Sequence, residues 1–271
     1  MQRREFLASS LVASGLAAEV SARSAQAQQT EKRSPLFIQV RHYMLGPVGN
    51  AKLCDDFFRD SLIPAANRLG ISPVGVFNGW FGPDTATKWV LLVGPSLETV
   101  ATLETHLSRD PEYMKTAAPF LNAPVAQPPF SRMESSLLQT LPELPGVAVP
   151  AALAKAEKRI YELRTYVQPT YLSHDLKADL FQAGGEAESL NKAGLNGVFF
   201  AENLIGSGIP GSSLPGITYM WAYASLADRQ KGEEVWGASP ETHAVMGNPK
   251  YAGVPSVISN IILRPAPYSQ L

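Results

Sequence analysis

The chain has 271 residues, 45% of them hydrophobic, with 23 basic and 24 acidic side chains and one cysteine. Near-neutral charge removes the electrostatic footprint of nucleic-acid or anionic-membrane binding, and one cysteine rules out an internal disulfide framework.

Arg3-Arg4, the thirteen-residue run from Phe6 to Ala18 and the Ala25-Gln26-Ala27 triplet have the form of a twin-arginine signal peptide over residues 1–27. The run is too short to cross a bilayer of about 30 Å hydrocarbon, so export to the periplasm with cleavage after Ala27, and no stable membrane anchor, is expected. Cleavage takes three basic and two acidic residues from totals of 23 and 24, leaving 20 against 22. The remaining length fits one large domain or two ordinary ones.

Leu36 to Tyr43 alternates as a strand does, and Leu53, Phe57, Leu62 and Leu69 mark a helix face with a bend expected at Pro64. Cys54 falls in that apolar pattern, which points to packing rather than chemistry. Val74 to Trp80 and Trp89 to Val93 read as strands around the turn-rich segment 82–86. A second helix carries Leu97, Val100, Leu103 and Leu107, and a strand near Ser131 to Leu138 completes β-α-β-β-α-β, the ferredoxin-like pattern.

Residues 139–158 have the proline and alanine content of a linker. The same order then recurs from Ile160 to about Leu263, with Leu176, Leu180 and Phe181 on a helix face and a longer, glycine-rich hairpin loop at 206–216. Arg41-x-Tyr43 returns as Arg164-x-Tyr166, Phe58 as Phe181, Asn67 to Gly70 as Asn191 to Gly194, Ser96-Leu97 as Ser225-Leu226, and Asp110-Pro111 as Asn248-Pro249. Five matches in one order, with an offset growing from 123 to 138, define an internal repeat with insertions in loops. The fold class read from this is α+β, two tandem ferredoxin-like units over 36–138 and 159–265 that together form an α-β barrel.

Period two sorts the repeated strand into two faces. Ile38, Val40 and His42 share one, matched by Tyr161, Leu163 and Thr165; Gln39, Arg41 and Tyr43 share the other, matched by Glu162, Arg164 and Tyr166. Helices cover one face of a ferredoxin-like sheet, and the apolar set is expected beneath them. Gln39, Arg41, Tyr43, Glu162, Arg164 and Tyr166 would then line the barrel as the candidate ligand-binding set. Glu162 stands ready to pair with Arg164 in a structural network, whereas Arg41 would keep a fork open to a carboxylate or enolate oxygen.

The phrase YELRTY at 161–166, the stretch Tyr219 to Arg229 and the Asn248-Pro249 helix end resemble a NIPSNAP domain of the dimeric alpha-beta barrel superfamily. The resemblance covers both copies and implies the barrel fold, but it brings no agreed catalytic residues. The loop after the first strand departs from the family's Pro-Gly pattern, being Gln168-Pro169-Thr170 in one copy and Gly46-Pro47 in the other.

His42, His106, His174 and His243 lie at no metal-ligand spacing, so no metal is expected. His42 is expected on the helix side as a packing residue, and His174 at a solvated helix start. No nucleophile elbow, P-loop, Rossmann fingerprint or zinc-protease motif is present, and the sequence names no cofactor and no catalytic residue. Trp89, Trp221, Tyr219 and Tyr223 read as strand packing. The function expected is binding of a small organic ligand or a protein partner through the barrel, with a homo-oligomer left open. The alternative is an enzyme of monooxygenase, isomerase or haem-handling type using arginine and tyrosine residues inside the barrel, an analogy at fold level.

Overall fold

The computed structural model describes residues 34–46, 49–81, 86–206, 208–209, 215–252, 254 and 256–271; the expected signal segment lies outside them. Residues 34–271 form one compact unit. Its strands are β1 Phe37–Met44, β2 Val74–Phe81, β3 Thr87–Gly94, β4 Arg132–Thr140, β5 Ile160–Val167, β6 Asn196–Ile205, β7 Gly216–Tyr223 and β8 Val257–Pro265. They close an eight-stranded barrel in the order β1-β3-β2-β8-β5-β7-β6-β4.

Each half contributes four strands in the ferredoxin-like order, and the halves are sewn together by antiparallel β2·β8 and β4·β6 pairs. Every neighbouring pair is antiparallel, so β1 and β5, four places apart, run the same way. Half a turn about the barrel axis therefore relates the two units.

The first unit's helices are α1 Ala51–Phe57, α2 Ile63–Arg68, α3 Leu97–Ala101, α4 Leu103–Leu107, α5 Pro111–Thr116 and α6 Ala118–Leu121. Between α1 and α2 a π turn over Phe58–Leu62 sends the Ile63 N–H back to the Phe58 carbonyl. Pro64, which has no N–H to donate, follows directly, so the expected bend becomes a widened turn. The single second helix expected from Leu97 onward is instead broken into α3 to α6. Asp110 restarts it, accepting from the Glu112 and Tyr113 amides ahead of Pro111.

In the second unit the helices are α7 Tyr171–Phe181, α8 Glu186–Lys192, α9 Leu226–Ala238 and α10 Pro240–Met246. The repeated residues fall at matching joints of the two units. Ser96 and Ser225 are N-caps, accepting from Thr99 and Asp228 amides; Gly70 and Gly194 end helices at φ +76° and +87°, where a side chain would strain. Phe58 and Phe181 are fully buried, each contributing about 1.5 to 3 kcal/mol of transfer free energy. The repeat thus conserves caps, a strand and a core anchor, the points that decide where elements begin and end.

Both faces of the strands are covered. Outside, Phe57, Phe58, Leu62, Val74, Val76, Val90 and Leu92 pack under the first unit's helices, and Phe181, Leu190, Phe200, Tyr219 and Trp221 under the second's. Inside, Ile38, Val40, Leu91, Tyr161, Leu163, Met220 and Leu263 fill the lumen. The connection 141–159 is more than a spacer: its Val147 and Leu153, with the C-terminal Leu271, join the lumen cluster. Arg159 fastens it by donating to the Tyr161 hydroxyl at 2.8 Å and to the Leu153 and Ala154 carbonyls.

Candidate functional site

The period-two sorting of the repeated strand is right, and its assignment to faces is inverted. Gln39, Arg41, Tyr43, Glu162, Arg164 and Tyr166 lie on the outer face, beneath the helices, while Ile38, Val40 and His42 point into the lumen. An open sheet has one covered face, whereas a closed barrel buries both. Polarity therefore could not say which set went inside. Long arginines gain more on the helix side, where acids on the helices meet their forks.

Arg41 is paired, not open. Its Nε donates to Gln39 Oε1 at 2.9 Å, and its Nη1 stands 2.7 Å from Glu104 on α4. Tyr43 packs against the Phe58 and Phe130 rings. In the second unit Glu162, fully buried, is the centre of a network. It accepts from Arg164 Nε at 3.0 Å and Nη2 at 2.6 Å, from Arg229 Nε at 2.7 Å and Nη2 at 3.1 Å, from Asn260 Nδ2 at 2.8 Å and from the Tyr223 hydroxyl at 3.2 Å. Burial pushes the Glu162 carboxyl up, but the bonds from Arg229, Arg164 and Asn260 outweigh it and hold the group down at about 2. This network ties β5, β7 and β8 to α9, so the expected pairing of Glu162 with Arg164 is present on the helix side of the wall.

Beside it, Lys177 on α7 donates to Glu186 at 2.6 Å and lies over the Tyr166 and Phe181 rings, 4.6 and 4.5 Å from their centroids. Cys54 is buried, its Sγ 3.2 Å from the Pro129 carbonyl, and burial pushes its thiol up to about 12. The expected packing role for this cysteine agrees with that environment.

The residues that face a lumen with chemistry in it are others. His42 stacks on Trp89 inside the barrel, ring centroids 4.0 Å apart, and the Trp89 indole donates to Thr87 Oγ1 at 3.2 Å. Its helix-side placement is thereby corrected. Half-way round the barrel, at the matching position, Thr165 shares a 2.9 Å hydrogen bond with Thr218, whose hydroxyl donates to Asn203 Oδ1 at 2.7 Å. Asn203 is 8% exposed, and its Nδ2 has no partner among the described residues. Glu134, in register opposite His42 on β4, completes one side.

These residues gather where β1, β2, β5 and β6 end, opposite the end filled by the 141–159 connection. Two described residues of the glycine-rich segment reach them: Ile209 joins the lumen cluster and the Gly208 amide donates to Thr218 Oγ1 at 3.3 Å. A Cβ on Gly208 would meet Thr218 Cγ2 at 2.4 Å, so only glycine lets the backbone lie this close at that position. The loop is the hairpin insertion expected from sequence, with a lumen contact added. Sequence offered one signal for this polar end: both inward sets, Ile38-Val40-His42 and Tyr161-Leu163-Thr165, turn polar at their third member.

Among the other histidines, His174 departs from expectation, being buried on α7 with Nε2 3.6 Å from Glu202. No cluster of histidine, cysteine, aspartate or glutamate among the described residues could hold a metal ion.

Two ferredoxin-like units closing one eight-stranded antiparallel barrel give the chain an α-β barrel fold. The chain is similar in structure to a monooxygenase-like protein of Lactobacillus acidophilus NCFM, with 6% identity over 86% of this chain and 94% of that one at a TM-score of 0.54. A monooxygenase-like protein of Fusobacterium nucleatum subsp. nucleatum ATCC 25586 matches at 7% identity, over 86% and 93% of the two chains, with a TM-score of 0.50. Such identities show a shared fold alone. Within the barrel, residues 161–270 match the NIPSNAP family model and carry a NIPSNAP domain. A NIPSNAP family protein of unknown function from Agrobacterium tumefaciens str. C58 is 25% identical over 42% of this chain and 93% of that one, at a TM-score of 0.36. No curated protein sequence matches the chain.

Proposed function

We propose that the chain is an exported protein of two tandem NIPSNAP-like units whose barrel mouth binds a small organic ligand. The observation that carries this reading is the Asn203 amide, buried beside the Thr165–Thr218 pair with its Nδ2 unpartnered among the described residues. A buried donor left without an acceptor costs about 1 to 3 kcal/mol; a ligand carbonyl or hydroxyl there would recover it. The His42–Trp89 stack supplies a flat surface for the ligand's body.

Native mass spectrometry of protein taken from the envelope fraction tests this. A retained small molecule is expected, lost in Asn203→Leu and kept in Arg41→Met, whose side chain faces the helices. A bare mass, or a molecule that Asn203→Leu retains, overturns the reading. Export is tested by Arg3→Lys with Arg4→Lys, which should hold the full-length chain in the cytoplasm, whereas the wild type should begin near Gln28.

An enzymatic reading has one observation in its favour, the opposition of His42 and Glu134 on adjacent strands of the polar end. An imidazole and a carboxylate in register, the carboxylate paired with Arg132 at 2.6 Å, are the elements of proton transfer. The arginine and tyrosine residues first expected to serve such chemistry face the helices instead. Release of the bound molecule in altered form, abolished by Glu134→Gln, would favour the enzyme.

A further inference from the structure

At the β2·β8 seam the outer surface holds a cleft of about 560 Å³. Trp80 of β2 and Arg264 of β8 form one wall, the guanidinium carbon 3.4 Å from the centre of the indole. Lys158 borders the opening, and Ile160, Ala224, Leu226 and Pro265 make the rest of the lining largely apolar. Glu157 and Arg159 also border it, but Arg159 is committed to Tyr161 and two carbonyls. Among the described residues, Lys158 and Arg264 have no ion-pair partner, although elsewhere on the surface arginines and lysines pair freely with carboxylates.

The pseudo-symmetry supplies an internal control. The β4·β6 seam is the equivalent junction, and its register Gln139↔Glu202 corresponds to Arg264↔Asn78. Gln139 thus stands where Arg264 stands, Leu204 occupies the place of Trp80, and Pro35 and Leu36 take the places of Lys158 and Arg159. The barrel closes at that seam with no cation or indole at these equivalent positions. The cation and ring features of the β2·β8 seam are therefore not required to close the wall.

We infer that the β2·β8 cleft is a second binding site, separate from the barrel mouth, for a small organic carboxylate with a flat apolar body. An arginine stacked on an indole is held in one plane and keeps its N–H edge for an anion. Lys158 adds a second positive charge at the opening, and the apolar lining takes the body of the ligand. Ligands that are apolar and neutral lack a partner for the two cations. Inorganic anions lack a body for the lining.

Titration calorimetry with 1-naphthoate, and with 1-naphthamide as its neutral counterpart, tests the inference on the mature chain. Naphthoate should bind, weakening several-fold between 50 and 200 mM salt, roughly as expected for partly exposed charges, and naphthamide should bind at least tenfold more weakly. Arg264→Gln and Lys158→Gln should each weaken naphthoate about tenfold, and Trp80→Leu, which copies the other seam, by a similar factor. Arg264 and Lys158 are exposed, so their variants should melt with the wild type. Asn203→Leu, at the barrel mouth, should leave naphthoate binding unchanged, which separates this site from the proposed ligand of the lumen. Equal binding of naphthamide, an Arg264→Gln variant that binds as the wild type does, or loss of naphthoate in Asn203→Leu would overturn it.

Discussion

Replacing Glu162 by glutamine keeps the shape of the side chain and removes the buried one of the two charges, Glu162 and Glu233, that the Arg164 and Arg229 guanidinium groups share. The Glu162 carboxyl falls from an ordinary 4.5 to about 2 in the folded chain. At 1.36 kcal/mol per pH unit, that difference makes the ionised group worth roughly 3 kcal/mol to folding at neutral pH. The figure agrees with the ~3 to 5 kcal/mol lost when a buried pair is broken. Because the folded value is the lower one, the contribution is fully present above about pH 4.5 and is lost as pH falls through about 2. Urea unfolding of wild type and Glu162→Gln at pH 7 and pH 3 reads this directly. The variant should be less stable by roughly 3 kcal/mol at pH 7, and the gap should shrink by about 2 kcal/mol at pH 3. A gap below 1 kcal/mol at neutral pH, or one that does not change with pH, would show that the arginines find compensation elsewhere and that the network is not what ties α9 to the wall.

Arg164→Met should cost about 1 to 3 kcal/mol because it takes two hydrogen bonds from the buried Glu162, which Arg229, Asn260 and Tyr223 still hold, whereas Arg41→Met should cost about 1 kcal/mol or less, since its partner Glu104 is 66% exposed and can return to water; thermal melts of the two variants side by side decide the order. Glu186→Gln should destabilise by about 3 kcal/mol by leaving the Lys177 ammonium unpaired, and the double variant Lys177→Met with Glu186→Leu should recover most of that loss in urea titration. Leu153→Ala, which empties part of the lumen's filled end, should cost about 2 to 5 kcal/mol and speed amide exchange in β1 and β5. Cys54 should resist a thiol reagent at pH 8 until the chain is unfolded, as its raised thiol and burial require.

Much of the architecture was legible because the repeat preserves residues with local jobs. A capping serine, an αL glycine or an Asp-Pro helix start declares its position through backbone chemistry alone, and Ser96, Gly70 and Asp110 have counterparts in Ser225, Gly194 and Asn248. The site was less legible. Alternation separates two faces but carries no sign, and in a closed wall the sign depends on which volume is larger and which acids approach from outside. Glu104 and Glu233, which draw Arg41 and Arg164 outward, lie on helices 63 and 69 residues further along the chain. Asn203 and Thr218 likewise meet Thr165 only once β5, β7 and β6 are side by side. Nothing in the local spacing of these residues announces that encounter.

The connection that carries Val147 and Leu153 into the lumen has a consequence for how the barrel can change over time. In a barrel assembled from two identical chains, anything lying on the rotation axis must appear twice or be compatible with its own rotated image. One covalent chain is free of that restriction. A single strap can close one end, a histidine can face a threonine across the lumen, and an indole with an arginine can occupy one seam while leucine and glutamine occupy the other. Joining the halves therefore releases each from matching its twin, and selection can act on one mouth, one floor and one seam at a time.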